Sequence, residues 1–127
     1  MDRVEPLRSQ LGRPLECARV PLCPELSLWL LSGEVDTDTT CAELADLEHP
    51  PYWAFCWIGG QALARYLLDH PDEVRGQRVV DFGAGSGIAG IAAARAGARS
   101  VTAVDTDPAA LRACDANAHL NGVSIEL

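Results

Sequence analysis

The chain has 127 residues, which is enough for one domain but fewer than a complete doubly wound nucleotide-binding fold usually takes. Ten basic residues oppose 18 acidic residues, so the formal net charge is -8 at pH 7. Because this charge repels a phosphate backbone, we expect no direct nucleic-acid partner.

The cysteines and the N-terminal sequence bear on metal binding and on the compartment. The five cysteines are scattered without a C-x-x-C pair, and the three histidines do not stand at ligand spacing, so we expect no metal site. The first residues lack the apolar stretch of a signal peptide, and no apolar run approaches the length of a membrane span. We therefore expect a cytoplasmic protein without a membrane contact.

Residues 1–50 form an N-terminal extension in which no chemical motif is visible. The polar segment Met1–Pro14 predicts a frayed segment or a short surface helix. The apolar residues of Leu26–Leu31 predict one extended strand with both faces covered. Thr40 and Glu43 have capping-box spacing before a short surface helix, CAELADL.

An aromatic cluster follows at Tyr52–Trp57, directly before Gly59-Gly60 and a helix predicted over Gln61–Asp69. Such a cluster forms either core or the wall of a ligand site. Composition favours the core, because aromatic side chains bury large areas. The paired glycines favour a close approach to the backbone. Both interpretations stay open on the residues alone.

The most informative stretch is Arg78–Gly90, RVVDFGAGSGIAG. It predicts a short buried strand, a glycine-rich turn and a helix that begins near Ile88. Glycines at Gly83, Gly85 and Gly87 leave no Cβ between the backbone and a ligand, and they permit positive φ angles. The turn is therefore suited to close contact with a bound molecule.

Two ligand classes use such a turn. Gly85-x-Gly87-x-x-Gly90 fits the dinucleotide pattern, with Asp105 at the distance of a ribose-binding acid. Asp81 argues against a dinucleotide, because a pyrophosphate needs N–H donors and positive charge. A carboxylate there suits a cationic ligand such as S-adenosylmethionine, with its sulfonium and ammonium groups. An ordinary glycine-rich turn without a ligand is the third interpretation.

The remaining elements complete a β-α-β-α-β order. A strand is predicted at Ser100–Val104, a helix over Ala109–Leu120 with Asp107 as its N-cap, and a third strand at 123–127. Right-handed crossovers make the three strands parallel in the order 3-2-1, with the glycine turn and Asp105 at the carboxyl edge. There Asp105 can accept both hydroxyls of a ribose.

These elements predict the α/β fold class, as the N-terminal part of a doubly wound, Rossmann-like parallel sheet. The extension at 1–50 precedes a partial cofactor-binding domain at 51–127. Three segments support a closer comparison: PYWAFCWIGGQALARYLLDHP, RGQRVVDFGAGSGIAGIAAARAGA, and VTAVDTDPAA followed by NAHLNG. Through their order and spacing, residues 50–123 resemble the class I, seven-strand methyltransferases related to the electron transfer flavoprotein β-subunit lysine methyltransferase.

The resemblance implies S-adenosylmethionine as the cofactor and a protein lysine as the methyl acceptor, with the electron transfer flavoprotein β-subunit as the candidate substrate. It also implies that Gly83, Gly85 and Gly87 line the methionine end of the cofactor. Asp105 would hold the ribose, and Trp57 would border the cofactor. We expect Asp81 to belong to the same site, because its negative charge suits the positively charged groups of the cofactor.

In this family a strand 4 motif faces the substrate amine, and it would follow Leu127. We therefore expect the N-terminal part of an enzyme, in which no catalytic residue is assigned. Without that strand, the edge of the strand at Arg78–Phe82 is unpaired, which predicts self-association or complementation by another chain. The alternatives are a non-catalytic S-adenosylmethionine-binding module and, less favoured, a dinucleotide-binding oxidoreductase domain.

Overall fold

The computed structural model describes residues 2–32 and 48–127. In chain order the helices and strands are α1 (Glu5–Leu11), β1 (Leu15–Val20), β2 (Cys23–Leu31), α2 (Ile58–Asp69), β3 (Arg78–Phe82), α3 (Ile88–Arg95), β4 (Ser100–Val104) and α4 (Pro108–Leu120). Short 3-10 turns lie at Tyr52–Ala54 and Pro71–Glu73. The helix predicted from Thr40 and Glu43 lies outside the described residues. None of the helices in the described part is long and apolar enough to cross a membrane.

The N-terminal part forms a hairpin, in which β1 and β2 pair antiparallel from Leu15↔Leu31 onward. The extended conformation predicted for Leu26–Leu31 is confirmed, but the prediction of one strand missed β1, whose outward positions are polar. The segment before the hairpin is the short, mostly exposed helix that was one of the two predictions. It forms α1, and the fully buried Leu7 packs with Leu15 and the alanines of α4 in one core cluster.

The second sheet consists of β3 and β4, which pair in parallel with Val79 opposite Val101. Both strands and the helices after them begin and end within about one residue of the predicted positions, which is within the spread of boundary assignment. The prediction that the first of these strands is buried is wrong, because Val80 and Phe82 are exposed. The small side chains of α3 pack against the sheet and against α2. These elements place the glycine turn after β3 beside the residues that follow β4.

Of the third strand predicted at 123–127, the structure shows only the beginning of the pairing with β4. A single parallel bridge joins Thr102 to Glu126, on the side of β4 away from β3. The amides of Asn121, Gly122 and Val123 bond instead to carbonyl oxygens in the last turns of α4. Because the helix end uses these groups, pairing with β4 starts only near the end of the segment, and the sheet has two strands within residues 2–32 and 48–127.

One edge and part of one face of this sheet carry no neighbour among the described residues. The β3 strand pairs only with β4, and Val80 and Phe82 are 63% and 87% exposed. The hairpin belongs to a separate sheet, so Leu26–Leu31 does not cover this edge. Natural edge strands guard such positions with charge, proline or a bulge, and the exposed pair here is apolar.

We predict that the bare edge of β3 drives self-association. The apparent mass measured by size-exclusion chromatography with light scattering is expected to rise with protein concentration. Val80→Lys places a charge on the exposed edge and is expected to shift the protein toward monomer. Leu22→Lys, at an exposed apolar position in the hairpin turn, is the matched control and is expected to leave the mass unchanged. A wild-type mass that stays monomeric at all concentrations would contradict the prediction.

Candidate functional site

A cavity of about 680 Å³ opens at the carboxyl ends of β3 and β4. Four segments form its walls: the aromatic stretch before α2, the start of α2, the turn after β3, and the residues after β4. Five of the six residues predicted for the site line it, namely Trp57, Asp81, Gly83, Gly85 and Asp105. The sixth, Gly87, does not line the cavity and lies on the side of the turn that packs against Cys114.

The glycine turn presents bare backbone to the cavity. Gly83 and Gly85 have φ angles of +72° and +54°, and a Cβ at either position would meet no atom within 4 Å. The turn is anchored to the neighbouring strand, because the N–H groups of Gly83 and Ala84 both donate to the Val104 carbonyl, at 2.8 and 3.0 Å. A side chain at either glycine would therefore be strained and would enter the open space.

Two other glycines serve packing. Gly87 has a φ of +83° and precedes α3, and a Cβ there would lie 2.5 Å from the Cys114 sulfur. A Cβ at Gly90 would lie 3.0 Å from a carboxylate oxygen of Asp81 and from Val101. The pattern of alternate glycines thus combines two needs, an open backbone at the cavity and close contact between α3, α4 and the sheet.

Asp105 joins the two sides of the carboxyl edge. Its Oδ2 accepts a hydrogen bond from the Gly85 N–H at 2.9 Å, and its Oδ1 accepts one from the Asp107 N–H at 2.9 Å. Asp107 in turn caps α4 by accepting from the Ala109 N–H. Each carboxylate oxygen has a further lone pair, so Asp105 can hold the turn and still accept from a ligand.

Asp81 lies at the end of β3, where its Oδ2 accepts from the Gly90 N–H at 2.9 Å. Burial raises the pKa of this carboxyl above its ordinary value, the Gly90 N–H opposes the rise, and the charge of Asp105 adds to it. A cation in the cavity would favour the ionised form of Asp81. No arginine or lysine is among the described residues that line the cavity, so the site suits positive charge better than a pyrophosphate.

The aromatic cluster divides between core and cavity. Trp53 is buried in the core and also borders the cavity, whereas Trp57 lines the cavity with 47% of its surface exposed. The Trp57 indole N–H donates to the Tyr52 carbonyl at 2.9 Å, and its ring lies 5.6 Å from the Phe55 ring, centre to centre. The aromatic cluster therefore contributes both to the core and to the wall of the cavity.

Sequence reasoning missed the residue that holds this aromatic wall. Gln61 is buried in α2, where its Oε1 accepts from the Leu22 N–H and its Nε2 donates to the Cys56 carbonyl, at 3.1 and 3.0 Å. The helix starts three residues earlier than predicted, so Gly60 lies in its first turn, where a Cβ would come within 2.9 Å of Ile88. A polar residue on the apolar face of a helix was the available signal.

Residues 61–127 match the family model of ribosomal protein L11 methyltransferase (PrmA), and the match includes the glycine turn and Asp105. The chain belongs to this family. The electron transfer flavoprotein beta subunit lysine methyltransferase of Rattus norvegicus is 47% identical over 103 residues, which are 81% of this chain and 40% of that protein. The chain thus spans about two fifths of the length of this relative.

Solved structures agree with the assignment. The ribosomal protein L11 methylase of Lactobacillus delbrueckii subsp. bulgaricus has 38% identity and a TM-score of 0.50, over 57% of this chain and 38% of its own. The 16S rRNA N2 G1207 methyltransferase of T. Thermophilus matches 89% of this chain and 26% of its own, with a TM-score of 0.54. At 23% identity the second match supports the fold alone. The predicted resemblance to class I methyltransferases is confirmed.

The contact behind Gly87 predicts a difference between two substitutions in the turn. Gly85→Ala adds a Cβ at positive φ in open space and is expected to lower the free energy of unfolding by about 1–2 kcal/mol. Gly87→Ala adds the same strain and a clash with Cys114, which is expected to cost about 1–3 kcal/mol more. Chemical denaturation measures both values.

The clash can be separated from the strain. In a Cys114→Ala background the sulfur is absent, so the extra cost of Gly87→Ala over Gly85→Ala is expected to shrink. Equal costs for the two glycine substitutions in the wild-type background would show that the Gly87 contact does not limit packing.

Proposed function

We propose that this chain forms the S-adenosylmethionine-binding part of a protein-lysine N-methyltransferase. Residues 51–127 supply the partial cofactor domain, and residues 1–50 form the extension before it. The observation that carries the proposal is the hydrogen bond between Asp105 and the Gly85 N–H, because it brings a ribose-binding acid and an open glycine turn to one cavity edge.

The cavity fits the cofactor in size, shape and charge. Its volume of about 680 Å³ is within the range of about 300–1,000 Å³ that ligand sites occupy. Bare backbone at Gly83 and Gly85 leaves room for the methionine end, and Asp81 offers negative charge to the sulfonium and ammonium groups. Asp105 would accept from the ribose hydroxyls, and Trp57 would border the cofactor. Gly87 does not line the cavity and would contribute by fixing the conformation of the turn.

When bound, the cofactor supplies a methyl group activated by its positive sulfur. The residues of this chain would bind and orient it and exclude water from its exposed side, and such positioning contributes most of the rate in direct group transfer. A free lysine has a pKa of about 10.4, so the acceptor amine must also lose its proton. We assign no catalytic residue to this chain for that task.

The acceptor is proposed from the relatives. The matched family is named for a ribosomal protein and the rat relative for a lysine of the electron transfer flavoprotein beta subunit, so both names specify a protein substrate. We propose a protein lysine, with that subunit as the first candidate. Because the chain spans two fifths of this relative, the activity is proposed for a longer protein of the relative's length that contains this chain, in which residues 123–127 would complete a third strand in the order 3-2-1.

Asp105 gives the main test of the proposed function. By calorimetry, wild type is expected to bind S-adenosylhomocysteine about tenfold or more tightly than its 2′-deoxyribose analogue, since a hydrogen bond to a carboxylate is worth about 1.5–3 kcal/mol. In Asp105→Ala this preference is expected to disappear. A purely structural role for Asp105 would weaken both ligands equally and leave the ratio unchanged.

The rival functions predict other outcomes. Tighter binding of NAD than of S-adenosylhomocysteine would favour the oxidoreductase and contradict the proposal. Binding of the adenosyl ligand with no methylation of the electron transfer flavoprotein β-subunit by the longer protein would favour a non-catalytic module. Transfer of a labelled methyl group to a lysine of that subunit is the expected result.

Trp57 gives an independent optical test. If its ring borders the cofactor, S-adenosylhomocysteine is expected to change the tryptophan fluorescence, and Trp57→Phe is expected to remove most of that change. Trp29, which lies in β2 and does not line the cavity, is the internal control, since Trp29→Phe should leave the ligand-induced change in place. A change that persists unaltered in Trp57→Phe would contradict a contact between Trp57 and the cofactor.

A further inference from the structure

Asn117 is a fully buried polar residue that links three elements. From the last turns of α4, its Nδ2 donates to the Ser86 carbonyl at 2.8 Å, and its Oδ1 accepts from the Trp29 N–H at 2.8 Å. Ser86 lies in the glycine turn, and Trp29 lies in β2. One side-chain amide therefore holds the back of the turn and the N-terminal hairpin together.

The two partners fix the orientation of this amide. The Trp29 N–H requires an acceptor and the Ser86 carbonyl requires a donor, so only one of the two amide orientations satisfies both. The other buried residues of α4 are alanines and a cysteine, so packing alone would accept an apolar side chain at position 117. A buried polar group that loses its partner is costly, and a fully satisfied one specifies a single arrangement.

Asn121, the C-cap residue directly after α4, provides a natural comparison. Its Oδ1 accepts from the Ser27 N–H at 3.0 Å, and its Nδ2 donates to the Ser27 carbonyl at 2.7 Å. It therefore anchors the same strand as Asn117 but makes no hydrogen bond with the glycine turn. The two asparagines differ in the one contact that bears on the cavity.

We propose that Asn117 is a positioning residue, which sets the glycine turn for the adenosyl ligand and makes the N-terminal hairpin part of the scaffold of the site. This inference rests on the proposed function. Gly83 and Gly85 give the turn its bare surface but no side chains to fix it. On the cavity side, Asp105 accepts a hydrogen bond from the Gly85 N–H. On the opposite side, Asn117 donates a hydrogen bond to the carbonyl of the next residue, Ser86. The turn is thus fixed from both sides.

Asn117→Asp tests the donor alone. The substitution keeps the size of the side chain and an acceptor for the Trp29 N–H, but it places a carboxylate oxygen against the Ser86 carbonyl. At about pH 8 we expect S-adenosylhomocysteine to bind about tenfold more weakly than to wild type, by calorimetry. Asn121→Asp is the same chemical change without the turn contact, and its affinity is expected to stay near that of wild type.

A pH series separates positioning from general damage. A protonated carboxyl can donate to the Ser86 carbonyl, and burial raises the pKa of such a group. The ratio of variant to wild-type dissociation constants is therefore expected to fall toward one between about pH 8 and about pH 5. Equal affinity of folded Asn117→Asp and wild type at about pH 8 would overturn the inference, as would an equal loss in Asn121→Asp.

A measurement on the unaltered protein tests the inference even if the variant does not fold. S-adenosylhomocysteine is expected to slow hydrogen exchange at the Trp29 amide, which bonds to Asn117, more than at the Ser27 amide, which bonds to Asn121. Equal protection of the two amides would overturn the inference while leaving the proposed function in place. No binding of S-adenosylhomocysteine by wild type would overturn both.

Discussion

The cavity depends on one carboxylate that is shared between two backbone N–H groups. Asp105 accepts from Gly85 and from Asp107, so the turn after β3 and the start of α4 are fixed at one point. The Val104 carbonyl, one residue earlier, accepts from two further amides of the same turn. Because these bonds satisfy the turn's own backbone groups, the bare faces of Gly83 and Gly85 are free to meet a ligand.

The C-terminal half could be predicted well because several independent signals agreed there. Apolar runs mark β3 and β4, glycine marks the turns, and Asp107 followed by proline marks the start of α4. The placement of Asp81 and Asp105 at one edge followed from parallel strand geometry alone. In this part of the chain the local structural preferences of the residues agree with the tertiary structure, so the sequence pattern was sufficient to predict the elements.

Other features depended on contacts distant in sequence and could not be predicted. The β1 strand is recognisable only from its pairing with β2, since its own pattern is weak. Asn117 and Gln61 interrupt the apolar faces of their helices, but their partners in the hairpin lie 88 and 39 residues away. The bridge at Glu126 is short because the end of α4 uses the amides before it. Hydrogen-bond competition of this kind leaves little trace in composition.

Asn117 in the last turns of α4 and Asn121 at its C-cap also match the spacing of a helix to that of a strand. Four residues of helix rise about 6.0 Å, and two residues of strand extend about 6.8 Å, so Asn117 and Asn121 can meet Trp29 and Ser27 in register. The outer edge of β2 is thereby occupied by side-chain amides in place of another strand. A shift of β2 by one residue would bring its inward-facing amides, already paired with β1, toward the helix. The contacts of Asn117 and Asn121 thus fix the position of β2 along the helix, although the helix is not part of the sheet.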